Sequence, residues 1–409
     1  MRTLSVNIED LDLATWPIFH KMTQRGLLAS LEKLEDLKTE VLARAEEQLE
    51  VTKAISQDQD FNPGSSQQLA AWMAQQGLTG KTTKSHDRLA TDERSLSAHE
   101  GNPMIDAVLE YRGLVKLEGT FISPTMELAK QDPVEGLYAG IVHPKWKLTR
   151  VRSGRVSTEN PNLLAFPSRD EMGRRVRSCF IARSGYKFLS VDYSQLEPRV
   201  VTGLSQDSEL LKVYLHGLDL YNRISSSLGV SRQVAKIVTL GVLYGMGDKR
   251  LQEQLALAGT ILSIEECGAL IGRWFRTHRG VQKLVEKIYA VSRQQNGWVF
   301  TDGGRGRFLP GLVLTGYGWP VNMLREEAER QAFNHVIQGT GMEQLKRAMI
   351  KVDKLSHGYL LLAIHDELLM EVPQAMDDPT EICNAMETRF YDVPLQVSWN
   401  MASDWGALK

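Results

Sequence analysis

Residues 186–194, YKFLSVDYS, and residues 359–372, YLLLAIHDELLMEV, decide the fold of this chain. The first is an apolar run that meets a carboxylate at Asp192. The second is a pair of apolar runs separated by His365, Asp366 and Glu367. Short apolar runs bounded by polar residues are typical of buried strands, so the second stretch predicts a β-hairpin with an acidic turn. We expect an α+β fold, in which a small antiparallel sheet carries helical subdomains.

Most of the remaining sequence has helical patterns. Leucines recur at helical spacing between residues 27 and 55, and the breaker FNPGSS at 61–66 precedes a second helix at 67–76. Residues 79–103 are polar and irregular, whereas 104–121 and most of 206–298 are helical in pattern. The first 120 residues are therefore predicted to be mainly helical, with one irregular loop.

Length and composition limit the classes of protein. A chain of 409 residues with 42% hydrophobic and 24% charged residues suits two or three globular subdomains. It contains no run of eighteen apolar residues, and its acidic N-terminus lacks the apolar core of a signal peptide. The three cysteines are far apart and match no zinc spacing. We expect a cytoplasmic protein with free thiols and no membrane segment.

Basic residues are concentrated in one segment, although the net charge is only −2. Between residues 145 and 187, eleven basic residues face three acidic ones, which gives +8 (11 − 3). A solvated, salt-bridged surface would explain a single arginine, but this density favours a track for a polyanion. The eleven are Lys145, Lys147, Arg150, Arg152, Arg155, Arg169, Arg174, Arg175, Arg177, Arg183 and Lys187.

Asp192 and Asp366 are candidate metal ligands. Each lies where an apolar strand meets a polar segment, a position that can present a carboxylate into a cleft. Mg²⁺ prefers oxygen ligands and accepts substrate phosphates in its shell, and two such ions stabilise an in-line phosphoryl displacement. The alternative is that each aspartate only caps a strand or a turn. For either residue alone that alternative is preferred, and the shared strand context favours the metal site.

The segment SRQVAKIVTLGVLYG, residues 231–245, predicts a helix with a functional face. Arg232, Lys236, Leu240 and Tyr244 follow at steps of four, so they lie on one slowly winding face. Two cations in the first half of a helix suit a triphosphate, and the apolar end suits a base. On spacing alone, two solvated cations beside a buried leucine and tyrosine explain the pattern equally well.

Two further segments have donors suited to nucleic acid. SGRVSTENPNLLAFP at 153–167 and GRRVRS at 173–178 place arginines among Ser, Thr and Asn, as phosphate contacts require. In REEAERQAFNHVIQGTGMEQLKRAM at 325–349, three donors repeat every four residues on one helix face: Arg330, Asn334 and Gln338. Such a row suits the minor groove, whose acceptors are shared by all correct base pairs.

Together these residues resemble the family A DNA polymerases, the DNA polymerase I-like enzymes. DYSQLEPR at 192–199 resembles the family's motif A, R-x3-K-x3-L-x3-YG at 232–245 its motif B, and HDE at 365–367 its motif C. GRVSTENPNL, TDGGRGRFLP and NHVIQGT follow the family order. FNPGSSQQLAAWM and VLEYRGLVKLEGTF resemble the thumb, so the likeness extends from about residue 15 to the end.

The resemblance implies a right-hand polymerase fold, with an antiparallel palm sheet and helical fingers and thumb. The implied parts are an N-terminal segment at 1–19, a thumb at 20–120, a palm at 121–205 and 322–409, and fingers at 206–321. The implied reaction is attack of a primer 3′-hydroxyl on the α-phosphorus of a dNTP, for DNA replication. Its partners would be primer–template DNA and dNTPs.

The resemblance also implies a role for each site residue. Asp192, Asp366 and the carbonyl of Tyr193 would bind two Mg²⁺ ions, for which Mn²⁺ can substitute. Glu367 would support them, and Lys236 would protonate the leaving pyrophosphate. The nucleotide would contact Arg232, Lys236, Leu240, Tyr244, Glu197, Gln195 and Tyr221, with Tyr244 and Glu197 excluding a ribose 2′-hydroxyl. The DNA would contact Arg155, Arg330, Asn334, Gln338 and His365.

Three departures from the family pattern change the expectations. Leu240 replaces a usual Phe or Tyr, and we expect strong discrimination against dideoxynucleotides. Tyr221 replaces a frequent phosphate-contacting His and can donate only a neutral hydrogen bond. Fewer than twenty residues precede the implied thumb, so we expect no exonuclease domain in this chain. Proofreading would then come from a separate polypeptide, or the chain is a fragment.

The initial Met and the compact length favour a natural stand-alone, monomeric polymerase, and Leu240 resembles some bacteriophage members. We therefore expect a bacteriophage protein in the host bacterial cytoplasm, with a separate exonuclease or replisome proteins as further partners. Glu197 argues against an RNA polymerase, whereas reverse transcription as a side activity stays open. The alternative of another class is a catalytically inactive DNA-binding accessory protein on the same fold.

Overall fold

The structure is a computed structural model that describes residues 8–83, 88–168 and 170–408. Residues 1–7 of the predicted N-terminal segment and Arg169 of the basic segment lie outside the described residues.

The described helices range from the four residues of α4 to the 37 of α15. In chain order they are α1 (Ile8–Arg25), α2 (Leu31–Ser56), α3 (Ser66–Gln75), α4 (Glu93–Leu96), α5 (Pro103–Leu117), α6 (Ser123–Gln131), α7 (Glu171–Ser178), α8 (Leu196–Ser205), α9 (Ser208–Leu215), α10 (Leu220–Leu228), α11 (Arg232–Leu243), α12 (Asp248–Leu257), α13 (Ile264–Thr277), α14 (Arg279–Gln294), α15 (Trp319–Leu355) and α16 (Thr380–Met386). A π-helical turn, Glu118–Ile122, connects α5 to α6.

The strands are short. They are β1 (Leu27–Ser30), β2 (Ala139–Val142), β3 (Lys145–Lys147), β4 (Ser157–Glu159), β5 (Tyr186–Tyr193), β6 (Trp298–Phe300), β7 (Gly306–Phe308), β8 (Tyr359–Ile364), β9 (Glu367–Pro373), β10 (Thr388–Phe390), β11 (Val393–Leu395) and β12 (Val397–Ala402).

The chain divides into two compact units. The first contains the described residues up to Arg25, Trp146–Thr158 and Gly185–Met401, and it holds the sheet and α8–α16. The second contains Gly26–Lys145, Glu159–Ser184 and the residues from Ala402 onward. In the second unit, α2 begins at its N-cap Ser30 and packs on α5. Its core includes the ring of Phe166, packed against Phe180 and Trp405.

The central sheet of the first unit has the strand order β12-β5-β9-β8. β5 and β8 each pair antiparallel with β9, and residues 365–366 form the hairpin turn between β8 and β9. The strand interiors are buried because both stretches are almost wholly apolar, and helices cover them. The α+β prediction and the acidic hairpin turn are therefore confirmed.

The predicted helices are present, but two of their ends differ. The pattern from residue 27 predicts one helix, whereas Leu27–Ser30 pair with β2 as a strand and α2 starts at Leu31. The four-residue run LLAS is too short for its strand character to show in a helical leucine pattern. α11 ends at Leu243, so Tyr244 is the residue after the helix rather than its last turn.

Other expectations from composition concern cysteines and membranes. Cys179, Cys267 and Cys383 are free, as predicted, and all three are buried. Among the described residues, none of the helices is both long and apolar enough to cross a bilayer.

Gly140 provides a test of the second unit. A Cβ at this buried β2 position would lie 2.5 Å from the carbonyl carbon and 2.9 Å from Cα of Ala129. We expect Gly140→Ala to lower the free energy of unfolding by about 2–3 kcal/mol, because two backbones must separate. Urea denaturation measures the change.

The matched control for that substitution is Gly113→Ala. A Cβ there meets no atom within 4 Å, and the residue lies inside α5. We expect this change to stabilise the protein slightly, since alanine is the better helix former. Equal unfolding midpoints for the two variants would contradict the close packing of β2 on α6.

Candidate active site

The site begins at the ends of two neighbouring strands. Asp192 near the end of β5 pairs in register with Glu367 at the start of β9. The backbone N–H of Tyr193 donates to the carbonyl of Asp366, at 3.1 Å. His365 adopts a left-handed backbone, with φ +57°, and this allows the two-residue turn. Two separate stretches of sequence thus present three carboxylates in one place.

The environment of Asp366 favours its protonated form. Burial, followed by the neighbouring charge of Asp192, raises the pKa of Asp366 to about 7. Glu197 and Glu367 add to the effect. Glu367 is 2% exposed and accepts a 2.6 Å hydrogen bond from the hydroxyl of Ser190. This end of the sheet is therefore negatively charged and partly shielded from water.

A cavity of about 350 Å³ adjoins Asp366. Its wall includes nine residues predicted for the site: Arg155, Gln195, Glu197, Tyr221, Leu240, Tyr244, Gln338, His365 and Asp366. The other predicted residues lie outside its wall: Asp192, Tyr193, Glu367, Arg232, Lys236, Arg330 and Asn334. Leu196, Pro198, Gly341 and Met342 complete the lining.

Glu197 occupies the centre of a hydrogen-bonded chain. Its Oε1 accepts from the guanidinium of Arg155, and its Oε2 accepts from the hydroxyl of Tyr244. Burial and the charge of Glu197 raise the pKa of Tyr244, so the phenol stays a donor. Asn334 of α15 donates to the carbonyl of Tyr244 at 3.3 Å. The carboxylate of Glu197 is thus held by the guanidinium of Arg155 at one oxygen and by the hydroxyl of Tyr244 at the other.

The cationic face of α11 lies over Tyr221. The charged ends of Arg232 and Lys236 are 5.5 and 6.0 Å from the centre of that ring. Arg232 also binds Asp219 at 2.8 Å, which raises the pKa of the arginine and lowers that of the carboxyl. Burial raises the pKa of Tyr221, whose ring forms part of the cavity wall.

The predicted row on α15 lies beside the same cavity. Gln338 is in its wall, and Asn334 contacts Tyr244 as described. Arg330 packs on Gly245, where a Cβ would lie 3.0 Å from Cγ of the arginine. Gly245 has a φ of +67° and turns the chain directly after Tyr244. One turn therefore brings the end of α11 against the middle of α15.

Arg199 is a supporting residue to which the sequence analysis gives no role. It is buried and donates to the carbonyls of Ser194 and Pro394, at 2.7 and 2.5 Å. It also lies 4.4 Å over the ring of Tyr214, whose hydroxyl donates to Gln195. The pattern around Arg199 does not identify this role, because its acceptor at Pro394 is distant in sequence.

The donor set fits a hard divalent cation. Asp192 and Asp366 offer carboxylate oxygens close enough to couple, as such ions prefer. Within residues 8–83, 88–168 and 170–408, no group of three or more His, Cys, Asp or Glu side chains is arranged to hold a metal ion. An ion held by two carboxylates retains coordination positions for water or substrate phosphate, which is the open arrangement that phosphoryl transfer requires.

Comparison with known proteins gives the family. The model of DNA polymerase family A matches residues 31–407. This chain belongs to DNA polymerase family A. Thermostable DNA polymerase I of Thermus filiformis is 34% identical over 94% of this chain and 46% of its own length. The enzyme of Thermus aquaticus is 34% identical over 81% of this chain and 39% of its own length.

A solved structure agrees with this family. The POL domain of Pol1 from M. smegmatis, in complex with DNA primer-template and dNTP, superposes with a TM-score of 0.85. The sequences are 29% identical, over 97% of this chain and 70% of that one. The right-hand polymerase fold is thereby confirmed. The chain spans less than half the length of the Thermus relatives it matches.

The electrostatics of Asp366 predict a pH-dependent stability. Its folded pKa of about 7 exceeds the ordinary 3.8, so the folded state holds a proton that the unfolded state releases. The contribution of this group to stability therefore falls as pH rises from about 4 to 7. We expect Asp366→Asn to have a higher melting temperature than the parent at pH 8 without divalent cations, and a similar one at pH 4.

The control is Asp377→Asn, which neutralises an almost fully exposed carboxylate outside the cluster. We expect its melting temperature to follow that of the parent at every pH. Added Mg²⁺ should raise the melting temperature of the parent and leave that of Asp366→Asn nearly unchanged. If the melting temperatures of the parent and Asp366→Asn changed with pH in the same way, the ionised form of Asp366 would not be destabilised in the folded protein.

Proposed function

We propose that this chain is a template-directed DNA polymerase that adds dNMPs to a primer 3′-hydroxyl. The observation that carries the proposal is the cavity whose wall contains Asp366, the Glu197–Tyr244 pair and Tyr221, the residue over which the cations of α11 lie. Membership of DNA polymerase family A supports it. Positioning and electrostatic stabilisation are the main contributions that phosphoryl transfer requires from a protein.

Asp192 and Asp366 are the residues that we propose to hold two Mg²⁺ ions, with the carbonyl of Tyr193 as a further ligand. Bound divalent cations would neutralise charge that develops on the attacking and leaving oxygens. Glu367 is proposed as a supporting carboxylate rather than a ligand, since Ser190 already bonds it in the sheet. Mn²⁺ has similar ligand preferences and is proposed as a substitute.

Arg232 and Lys236 are proposed to bind the triphosphate. Both side chains are exposed at the N-terminal half of α11, where the helix dipole also favours anions. Arg232 would exchange the carboxylate of Asp219 for phosphate oxygens. The hydroxyl of Tyr221 would add a neutral hydrogen bond. Lys236 is the proposed proton donor to the leaving pyrophosphate, from its Nζ atom.

Glu197 and Tyr244 are proposed to select the sugar. Their direct hydrogen bond forms one polar surface in the cavity wall, and a ribose 2′-hydroxyl would have to displace it. Gln195, held by Tyr214, and Leu240 complete the proposed nucleotide contacts. Arg155 fixes the second oxygen of Glu197, so the carboxylate cannot rotate away without breaking an ion pair.

The primer–template is proposed to contact Arg155, Arg330, Asn334, Gln338 and His365. Arg330, Asn334 and Gln338 are partly exposed on one face of α15, and His365 is exposed at the hairpin turn. Donors in a row suit the acceptors of a minor groove. The subdomain limits stay predictions: thumb 20–120, palm 121–205 and 322–409, and fingers 206–321.

Several finer expectations also stay predictions of the sequence. These are a monomeric state, a cytoplasmic location, a separate exonuclease or replisome proteins as partners, and a bacteriophage source. Leu240 is the residue that supports the bacteriophage source, while the relatives reported above are bacterial.

Primer extension with Asp366→Ala tests the proposed function. We expect the parent to extend a primer on a DNA template with dNTPs and Mg²⁺. The variant should be slower by at least about 1,000-fold, since several kcal/mol of charge stabilisation would be lost. Single-turnover extension rates measure the effect, and primer–template affinity is determined for both proteins.

The matched control is Asp377→Ala, which removes a carboxylate that lies outside the cavity wall and pairs with Lys187. It should extend primers at the parental rate. Extension by neither parent nor variant, with DNA binding intact, would favour a catalytically inactive accessory protein. Extension by Asp366→Ala at the parental rate would show that the catalytic carboxylate lies elsewhere.

Leu240 predicts strong discrimination against dideoxynucleotides. Its side chain lines the cavity but has no hydroxyl that could replace the missing 3′-hydroxyl of the nucleotide. We expect Leu240→Tyr to reduce the ratio of kcat/KM for dNTP to that for ddNTP by about tenfold or more, because it supplies one hydrogen bond to a charged ligand.

Leu240→Phe is the control, since it adds the ring without the hydroxyl. We expect it to keep the discrimination of the parent. A parent that incorporates both nucleotides equally, or a phenylalanine variant that behaves like the tyrosine one, would overturn this explanation.

A further inference from the structure

The β6–β7 ribbon presents an aromatic face on the surface of the first unit. Trp298 pairs with Phe308 and Phe300 with Gly306, so the three rings share one face, and the pair Val299 and Arg307 lies on the other. Each ring is 44–46% exposed, whereas Val299 is 2% exposed. The ring of Trp298 lies 6.2 Å from Phe300, nearly parallel, and 5.7 Å from Phe308. We call Trp298, Phe300 and Phe308 the aromatic ribbon.

The backbone beneath these rings is fixed. The turn at 301–305 is held by Glu343 of α15, which accepts from the hydroxyl of Thr301 and, at 2.9 Å, from the N–H of Gly303. Gly306 leaves room for Phe300, because a Cβ there would lie 2.9 Å from the ring. A rigid platform loses little conformational entropy when a ligand covers it.

The cationic group of the β6–β7 ribbon is Arg307, since the neighbouring Arg293 and Arg305 are already in ion pairs with Glu329 and Asp12. Arg307 of β7 donates to the neutral Gln331, and the nearby charge of Arg152, after burial, lowers its pKa. Two guanidinium groups that repel each other would both gain from a polyanion.

The aromatic ribbon is also continuous with the proposed DNA contacts. Gln331, the partner of Arg307, follows Arg330 in α15. Glu343, which holds the ribbon turn, lies five residues after Gln338 in the same helix. A nucleic acid that contacts Arg330 and Gln338 would therefore bind the helix on which this ribbon is anchored, within the same unit.

We propose that the aromatic ribbon binds single-stranded DNA, by stacking of bases on Trp298, Phe300 and Phe308. The ribbon face consists of three rings and a glycine, without an aliphatic side chain, and exposed flat rings are the surface on which unpaired bases stack. Stacking tolerates any base, which suits a template that varies in sequence. The inference rests on the proposed function, because it assigns this surface to the unpaired part of the same substrate.

The test compares two triple variants with the parent: Trp298, Phe300 and Phe308 changed together to Ala, or together to Leu. The leucine variant keeps apolar volume but loses the aromatic faces. It replaces the alanine variant in the comparison if the alanine variant has a much lower melting temperature than the parent. Fluorescence anisotropy measures binding to a primer–template with a twelve-nucleotide 5′ overhang, a blunt duplex, the single strand dT12, and an abasic overhang of equal phosphate number.

We expect the parent to bind the overhang more tightly than the blunt duplex or the abasic overhang. Both triple variants should lose affinity for the overhang and for dT12 by about tenfold or more. Their affinity for the blunt duplex, and their rate of adding one nucleotide opposite a one-nucleotide overhang, should equal those of the parent. The control is Trp399→Ala, which removes a Trp of similar exposure from β12 and should change no affinity.

Three results would overturn the proposal. If the triple variants had the parental affinity for the overhang, the aromatic ribbon would not be part of the DNA interface. If the parent bound natural and abasic overhangs with equal affinity, the interaction would depend on the phosphates and not on stacking of bases. A parent that sediments as a dimer, and becomes monomeric in the triple variants with unchanged DNA affinity, would make the ribbon a self-association surface. If the parent did not bind the blunt duplex, the proposed function would be contradicted instead. Binding of dT12 by the parent and the triple variants would still test the role of the aromatic ribbon.

Discussion

The register of β5 against β9 is the constraint on which the candidate site depends. It sets Asp192 opposite Glu367 and puts Asp366 in the adjoining turn. The buried pair Val191 and Leu368, next in the ladder, favours this register because a slip of one residue would put the two side chains on opposite faces of the sheet. Hydrophobic burial, rather than any attraction between polar groups, therefore brings the carboxylates together.

That arrangement has an electrostatic cost. Burial, followed by the charge of Asp192, raises the pKa of Asp366, and both effects disfavour its ionised form. The hydroxyl of Ser190 stabilises the carboxylate of Glu367 by a hydrogen bond, and Arg155 stabilises that of Glu197 by an ion pair. The excess negative charge that remains near Asp366 is the kind that a divalent cation offsets. The same residues that weaken the metal-free fold therefore prepare it for its proposed cofactor.

Much of this architecture could be predicted where a pattern is long or chemically unusual. The apolar runs around Asp192 and Asp366 predict the sheet, and the four-residue steps after Ser231 predict α11. Short or tertiary features could not be predicted: β1 becomes a strand only by pairing with β2. The same holds for Arg199, whose acceptors include Pro394, 195 residues along the chain. Sequence spacing does not encode such partners.

α15 connects features that are distant in sequence. Its fully buried Lys346 binds Asp12 of α1 at 2.7 Å, and Asp12 also binds Arg305 at the same distance. Arg305 lies so close to Gly154 that a Cβ there would be 2.7 Å from its guanidinium carbon. A buried ion pair is weak support for stability but admits few alternative geometries. Because Gly154 precedes the arginine that holds Glu197, this cluster limits where that arginine can lie. The proposed choice of sugar therefore depends on contacts well outside the cavity.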